Sequence, residues 1–328
     1  MTKKFLYPLK FDTIFKDKIW GGQKINTILG KDFSPLPNCG ETWEISGVPG
    51  NLSKVSEGPL KGWTLPELIE EFKEELVGKK VFEQYGTEFP LLVKFIDAAQ
   101  DLSIQVHPND KLAKARHNSL GKSEMWYIFQ ADEDAKLISG FNKDTNQQEY
   151  LEYLESGRLT EILNEEEVNA GDCFYLPAGR VHTIGKGLLL AEIQQSSDVT
   201  YRIYDFDRTD DQGNKREPHT EQALDALDYK HYSEYKTPYK KALNEAVPLV
   251  KSQYFQTNLL EFTTGIIREH YRKDSFVIYT CVQGEAQIEC MGQTTKISMG
   301  NAVLIPQKAP EIHLRTNSGF KMLETFMP

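Results

Sequence analysis

The stretch Leu102-Ser103-Ile104-Gln105-Val106-His107 alternates apolar and polar residues without a break. Extended as a strand, it sets Ser103, Gln105 and His107 on one face. A face of that composition needs something polar to meet. In Lys122-Ser123-Glu124-Met125-Trp126-Tyr127-Ile128, a second strand candidate, Lys122 and Glu124 share one side, and His182 follows Pro177 by five residues. Two imidazoles, one carboxylate and one amide oxygen make a four-point cage of nitrogen and oxygen donors for one Zn2+, with Mn2+, Fe2+ or Co2+ also acceptable. Each residue also has an ordinary reading. With seven histidines in the chain, a lone one is more often a surface or core residue than a ligand.

The elements that must position these side chains read mostly as strands. The first 60 residues mix short apolar runs with Gly and Pro, as in Trp20-Gly21-Gly22 and Glu41-Thr42-Trp43-Glu44-Ile45-Ser46. One clear helix is expected to start at Thr64, where Thr64 and Glu67 form a capping box. Leu65, Leu68, Ile69, Phe72 and Leu76 then fall at helical spacing, and Gly78 stands where a C-terminal cap belongs. A second helical patch is expected over about 147–168.

Gly171-Asp172-Cys173-Phe174-Tyr175-Leu176-Pro177 is echoed by Gly300-Asn301-Ala302-Val303-Leu304-Ile305-Pro306, an approximate internal repeat that implies two related β units. The second copy places His313 seven residues after Pro306, behind Glu311, so its function is expected to have drifted and no catalytic metal is expected there. The charged, Tyr-rich stretch 228–247 lacks an alternating apolar pattern and reads as the linker. The domains expected are 1–235, catalytic with helical insertions, and 236–328, a C-terminal β domain.

Gly171, Pro177 and His182 match the second metal element of the cupins, and Gln105, His107 and Glu124 resemble the first. More sharply, Leu102-Ser103-Ile104-Gln105-Val106-His107-Pro108-Asn109 resembles the signature of type I mannose-6-phosphate isomerases. Trp20-Gly21-Gly22, Lys94 ahead of Ala98-Ala99-Gln100, Lys122-x-Glu124, and Glu192 followed by Ser197-Asp198 and Arg202 extend the similarity over roughly residues 10–210. Two features depart from the longer members. Only 57 residues separate Glu124 from His182, as in the compact bacterial forms, and Gly121 stands where long forms tend to carry a histidine.

The resemblance implies a mainly β fold of two cupin-type jelly-roll units with a small helical insertion, and metal binding by Gln105, His107, Glu124 and His182. It also implies the interconversion of mannose 6-phosphate and fructose 6-phosphate through a cis-enediol. That chemistry needs a base, stabilisation of the enediolate oxygens and a grip on the phosphate. Glu192, in the apolar run Leu188-Leu189-Leu190-Ala191-Glu192-Ile193, is the first choice for the base, since burial would raise its pKa; a structural carboxylate paired with a cation is the alternative. Lys94, Lys122 and Lys136 are the cations for phosphate, Lys122 foremost because it shares a face with Glu124, and Ser103 is counted among the substrate contacts. Arg202, on one face of its strand with Thr200 and Tyr204, is expected to act on the enediolate or phosphate, with Asp198 orienting it; a structural Arg202–Asp198 salt bridge is the alternative. Other metal-dependent cupin enzymes, such as an oxygenase, and a non-catalytic sugar-binding cupin are the rival readings.

Composition narrows the partners. Lys and Arg total 38 against 48 for Asp and Glu, a net charge of −10 that argues against nucleic acid or an anionic membrane. A phosphorylated hexose then requires a local cluster of cations. No apolar run approaches a membrane span, the start Met1-Thr2-Lys3-Lys4-Phe5 leads into charged residues, and the four cysteines show no CxxC spacing, so a reducing cytoplasm is expected.

Overall fold

The computed structural model describes residues 4–209 and 213–328. Among these, antiparallel strands form three sheets. The first runs in the spatial order Ile14–Lys16, Glu41–Ser46, Leu91–Ala98, Leu188–Gln195, Glu124–Ala131 and Cys173–Leu176. The second places Tyr201–Tyr204, Ile104–Val106, His182–Ile184, Lys136–Phe141 and Leu163–Glu167 side by side. Trp20, Ile96, Trp126, Leu188 and Leu190 from the first side, with Leu137 and Ile184 from the second, form an apolar cluster between them. Burial of each such side chain contributes roughly 1.5–3 kcal/mol, so this cluster, more than any ladder, fixes how the sheets face.

The third sheet is C-terminal and eight-stranded, built around the long strand Val277–Cys290. One part of that strand pairs with Ala302–Ile305 and Phe320–Phe326, the other with Gln293–Ser298 and Glu311–Arg315, so it bends through both layers of a second β unit. The repeat seen in the sequence is structural. Gly171 and Gly300 both take a left-handed backbone, φ 93° and 86°, and each leads into a short strand, Cys173–Leu176 or Ala302–Ile305. The protein is mainly β with few helices, as expected.

All eight residues of Leu188–Gln195 are buried. Leu189, Ala191 and Ile193 pack toward the C-terminal sheet, in one cluster with Leu259, Phe276 and Leu304, while Leu188 and Leu190 point between the first two sheets. Period-two alternation therefore turns Glu192 and Gln194 inward as well.

Two helical expectations need correction. The helix capped by Thr64, whose amide donates to Glu67 Oε2 at 2.8 Å, stops at Phe72 because Lys73 adopts φ 47°. A separate turn, Glu74–Val77, then buries Leu76 and Val77, and Gly78, φ 94°, lies where a Cβ would stand 2.3 Å from the Asp274 carbonyl. Gly78 caps this second turn, as expected of a cap there, its amide donating to the Glu74 carbonyl at 2.9 Å. The patch over 147–168 holds a helix only at Gln147–Glu155; after Gly157, φ 70°, and one 3-10 turn, Leu163–Glu167 is a strand paired with Lys136–Phe141. Pairing with a distant strand overrides local propensity there.

The stretch expected to be a linker runs in irregular backbone up to the strand Glu245–Lys251. It is not free of contacts: Tyr235 is buried, and its hydroxyl donates to the Phe141 carbonyl at 2.6 Å. No helix of the described residues is long and apolar enough to cross a membrane.

Candidate metal centre and its pocket

Four strand pairings assemble the centre. Gln105 sits opposite His182 on one side and opposite Arg202 on the other, while Glu192 pairs with Lys94 and with Trp126 in the facing sheet. His107, Glu124 and His182 converge where the two sheets meet, buried, with their ligating atoms within 4.8 Å of one another.

Each imidazole is oriented through its other nitrogen. His107 Nδ1 lies 3.0 Å from the Val199 carbonyl and His182 Nδ1 2.8 Å from the Arg180 carbonyl. Those carbonyls can only accept, so both Nδ1 atoms carry the proton and both Nε2 lone pairs face Glu124. The Nε2 atoms stand 3.5 Å and 3.3 Å from the Glu124 oxygens. Burial, helped by the Lys122 charge, lowers His107 to about 3 and keeps it neutral despite Glu124. Burial would raise Glu124, but the Lys122 charge at 3.2 Å holds it well below the usual carboxylate range.

The residues fit a divalent cation by a direct test. His107 Nε2 and both oxygens of Glu124 are buried without a hydrogen-bond partner. An unsatisfied buried polar atom costs about 1–3 kcal/mol, and three converging on one point are characteristic of a ligand set. Gln105 adds a fourth donor. Its Nε2 lies 3.3 Å from His182 Nε2, and a half-turn of the amide presents Oε1 at the same place.

A cavity of about 330 Å3 opens beside this centre, lined by Lys94, Ser103, Gln105, Lys122, Glu192, Asp198 and Arg202 among others. Glu192 accepts from Trp126 Nε1 at 3.0 Å and pairs with Lys94 Nζ at 2.8 Å. Burial raises its pKa, and the Glu124 charge adds to the rise, while Lys94 opposes it. On the other side of Lys94, Glu41 lies 3.9 Å away. Burial works to raise Glu41 too, yet Lys94 and Lys18, with the Trp43 hydrogen bond, bring it down to about 2. Two carboxylates flanking one ammonium are thus driven in opposite directions.

Arg202 is half-buried and points into the cavity, while Tyr201 and Ile203 pack behind the strand in one cluster with Ala223 of the helix Thr220–Ala226. The expected Asp198–Arg202 pairing does not form. Arg202 Nη1 donates to the Glu217 carbonyl at 3.0 Å and its Nε is buried with no partner, whereas Asp198 is exposed at the cavity rim. Lys136 is not brought to the cavity either. It is exposed and pairs with Glu165 in a separate hollow that also holds Asp132, Glu133 and Asp134, surroundings that would repel phosphate. Lys16, Lys18, Glu41 and Arg216 line the cavity without having been singled out in the sequence. No spacing in the sequence marks them.

Residues 8–134 match the family model described as phosphomannose isomerase type I, catalytic domain. The chain is 35% identical over 313 residues to the mannose-6-phosphate isomerase ManA of Bacillus subtilis, covering 94% of this chain and 95% of that one. It is 43% identical over 220 residues to the mannose-6-phosphate isomerase of Streptococcus mutans, covering 67% of each. The crystal structure of mannose 6-phosphate isomerase from Bacillus subtilis superposes with a TM-score of 0.86 at 32% identity, covering 98% of this chain and 99% of that one.

Proposed function

The chain belongs to the type I phosphomannose isomerase family, and we propose on that footing that it interconverts mannose 6-phosphate and fructose 6-phosphate in the cavity beside His107, Glu124 and His182. The observation that carries this is the trio of buried ligand atoms without a hydrogen bond, beside a cation-lined cavity in a chain of net charge −10. Against that background field an anionic sugar is drawn only to such a local cluster.

Gln105, His107, Glu124 and His182 would hold one divalent ion, which we assign as zinc because neutral imidazole, carboxylate and amide oxygen suit it. When bound, such an ion supplies Lewis acidity toward the substrate's carbonyl and hydroxyl oxygens. Glu192 is the base: desolvation makes its carboxylate a stronger proton acceptor, so it takes the proton from carbon 2 of the aldose and returns it to carbon 1, while the proton of the hydroxyl on carbon 2 passes to the oxygen on carbon 1. Lys94, fixed between Glu41 and Glu192, keeps a positive charge beside that exchange. Lys122 stands at the Glu124 edge of the cavity, and Arg202 offers a planar fork of donors to the enediolate or the phosphate. Ser103 contributes a hydroxyl to the wall, and Lys16, Lys18 and Arg216 add to the grip on the phosphate.

We assign these roles to the expected catalytic unit, residues 1–235, on the ground that the cavity lining runs from Lys16 to Arg216. A cytoplasmic setting suits the four cysteines, all buried and unpaired. The test is formation of fructose 6-phosphate from mannose 6-phosphate in a coupled assay. Purified, metal-restored protein that shows no turnover would sink the proposal.

A further inference from the structure

The segment Gly121-Lys122-Ser123 leads into Glu124, so its placement sets two groups of the centre at once. It is not part of a sheet, and its position is held by side chains. Asp110, at the first turn of the helix Asp110–His117, accepts from the Gly121 amide at 2.8 Å and from Gln195 Nε2 at 2.9 Å, both through Oδ1. Gln195 in turn accepts from the Ser123 amide at 2.9 Å and donates its own amide to the Ser123 carbonyl at 3.1 Å. The Lys122 amide is tied to the Pro108 carbonyl at 3.1 Å. There is no slack for a side chain at Gly121: a Cβ there would stand 2.5 Å from the Asp110 amide nitrogen.

The second oxygen of Asp110 reaches the other half of the molecule. Tyr254 donates its hydroxyl to Asp110 Oδ2 at 2.9 Å. Tyr254 sits in the turn between Glu245–Lys251 and Gln256–Phe262 of the C-terminal sheet, a turn closed by Ser252 Oγ, which accepts from the amides of Tyr254 and Phe255 at 3.1 Å each. Phe255 beside it is fully buried in the shared core. One carboxylate thus joins three parts of the chain, with the C-terminal unit bracing the loop that carries Lys122.

We infer that Asp110 is a positioning residue that, braced by Tyr254, holds Lys122 and Glu124 in place for turnover. The inference rests on the isomerase reading, and its test separates the two. In the holoenzyme, Asp110→Ala should lower kcat by about tenfold with KM for mannose 6-phosphate little changed, the size typical of a lost outer partner of a metal site. Asp110→Asn keeps an oxygen for Gly121 and Gln195 and should stay within about threefold of the unsubstituted chain. Tyr254→Phe, which keeps shape and removes only the hydroxyl, should lower kcat by about three- to tenfold and speed release of the metal to a chelator by a similar factor. Circular dichroism and melting check that the variants fold, and Tyr254→Phe decides if Asp110→Ala does not. Unchanged kcat and metal-release rate in folded Tyr254→Phe, or a rise in KM alone, overturns the inference. An unsubstituted chain without turnover fails the isomerase reading instead, and metal release still reports on the brace.

Discussion

Glu124 and Glu324 are both fully buried inside related β units, and they are treated in opposite ways. Glu324 is saturated by its own chain. Arg268 grips it with two bonds of 2.9 and 2.7 Å, Asn258 Nδ2 donates at 2.8 Å and the Tyr279 hydroxyl at 3.2 Å. His270 Nε2, 2.7 Å from the Tyr279 hydroxyl, and Lys273, 3.2 Å from His270 Nδ1, close the cluster. Burial would raise Glu324, but Arg268 with Lys273 and His270 brings it down to about 2. Glu124, by contrast, makes no hydrogen bond with either oxygen and has Lys122 Nζ at 3.2 Å, and Lys122 and Gln105 beside it line a cavity. A satisfied cluster stabilises the fold, and one left unsatisfied by its own chain is arranged for something that must arrive.

The contrast can be broken most sharply at the open centre. His107→Ala should lose stoichiometric metal by elemental analysis and lower kcat by at least about 10^3-fold, since a divalent ion contributes several kcal/mol at tenfold per 1.36 kcal/mol. Retained metal and rate would remove the distinction.

At the closed cluster the loss should fall on stability. Arg268→Ala strands a buried carboxylate and should lower unfolding free energy by about 3 kcal/mol, read by denaturant titration, with metal content and kcat per folded molecule intact. Acid should act through the same residues. His270 is pushed down to about 4 by burial and Lys273 against an ordinary 6.5, and Glu324 lies near 2 against 4.5. Both bind fewer protons folded than unfolded, so their contribution is full above pH 6.5 and is lost as pH falls through the folded values. His270→Gln should therefore flatten the stability curve between pH 6.5 and about 4; a curve parallel to that of the unsubstituted chain refutes this.

A smaller effect is expected at the cavity wall. Arg202→Ala should lower kcat by about two orders of magnitude with folding and metal intact, as for loss of a transition-state donor. A change in KM alone would make it a phosphate anchor. The smallest effect belongs to His313, which is partly exposed and hydrogen-bonded to Glu311 at 2.5 Å. His313→Ala should keep full activity and metal content, and loss of either would move a functional site into the C-terminal unit.

Local rules made part of this molecule legible in the residues alone. Alternation over 102–107 placed Gln105 and His107 together, the capping box marked the helix start at Thr64, and the paired glycines Gly171 and Gly300 announced two related units. Each of these depends on a period of two or three residues or on the sign of one φ angle, which nearby side chains decide. The strand Leu163–Glu167, the arrival of Lys16, Lys18 and Arg216 at the cavity, the departure of Lys136 from it and the separation of Asp198 from Arg202 were decided only by tertiary structure. They depend on which strands pair and which sheets face each other. Those partners lie tens or hundreds of residues apart in sequence, so the burial that selects among the pairings exists only once the whole chain has packed.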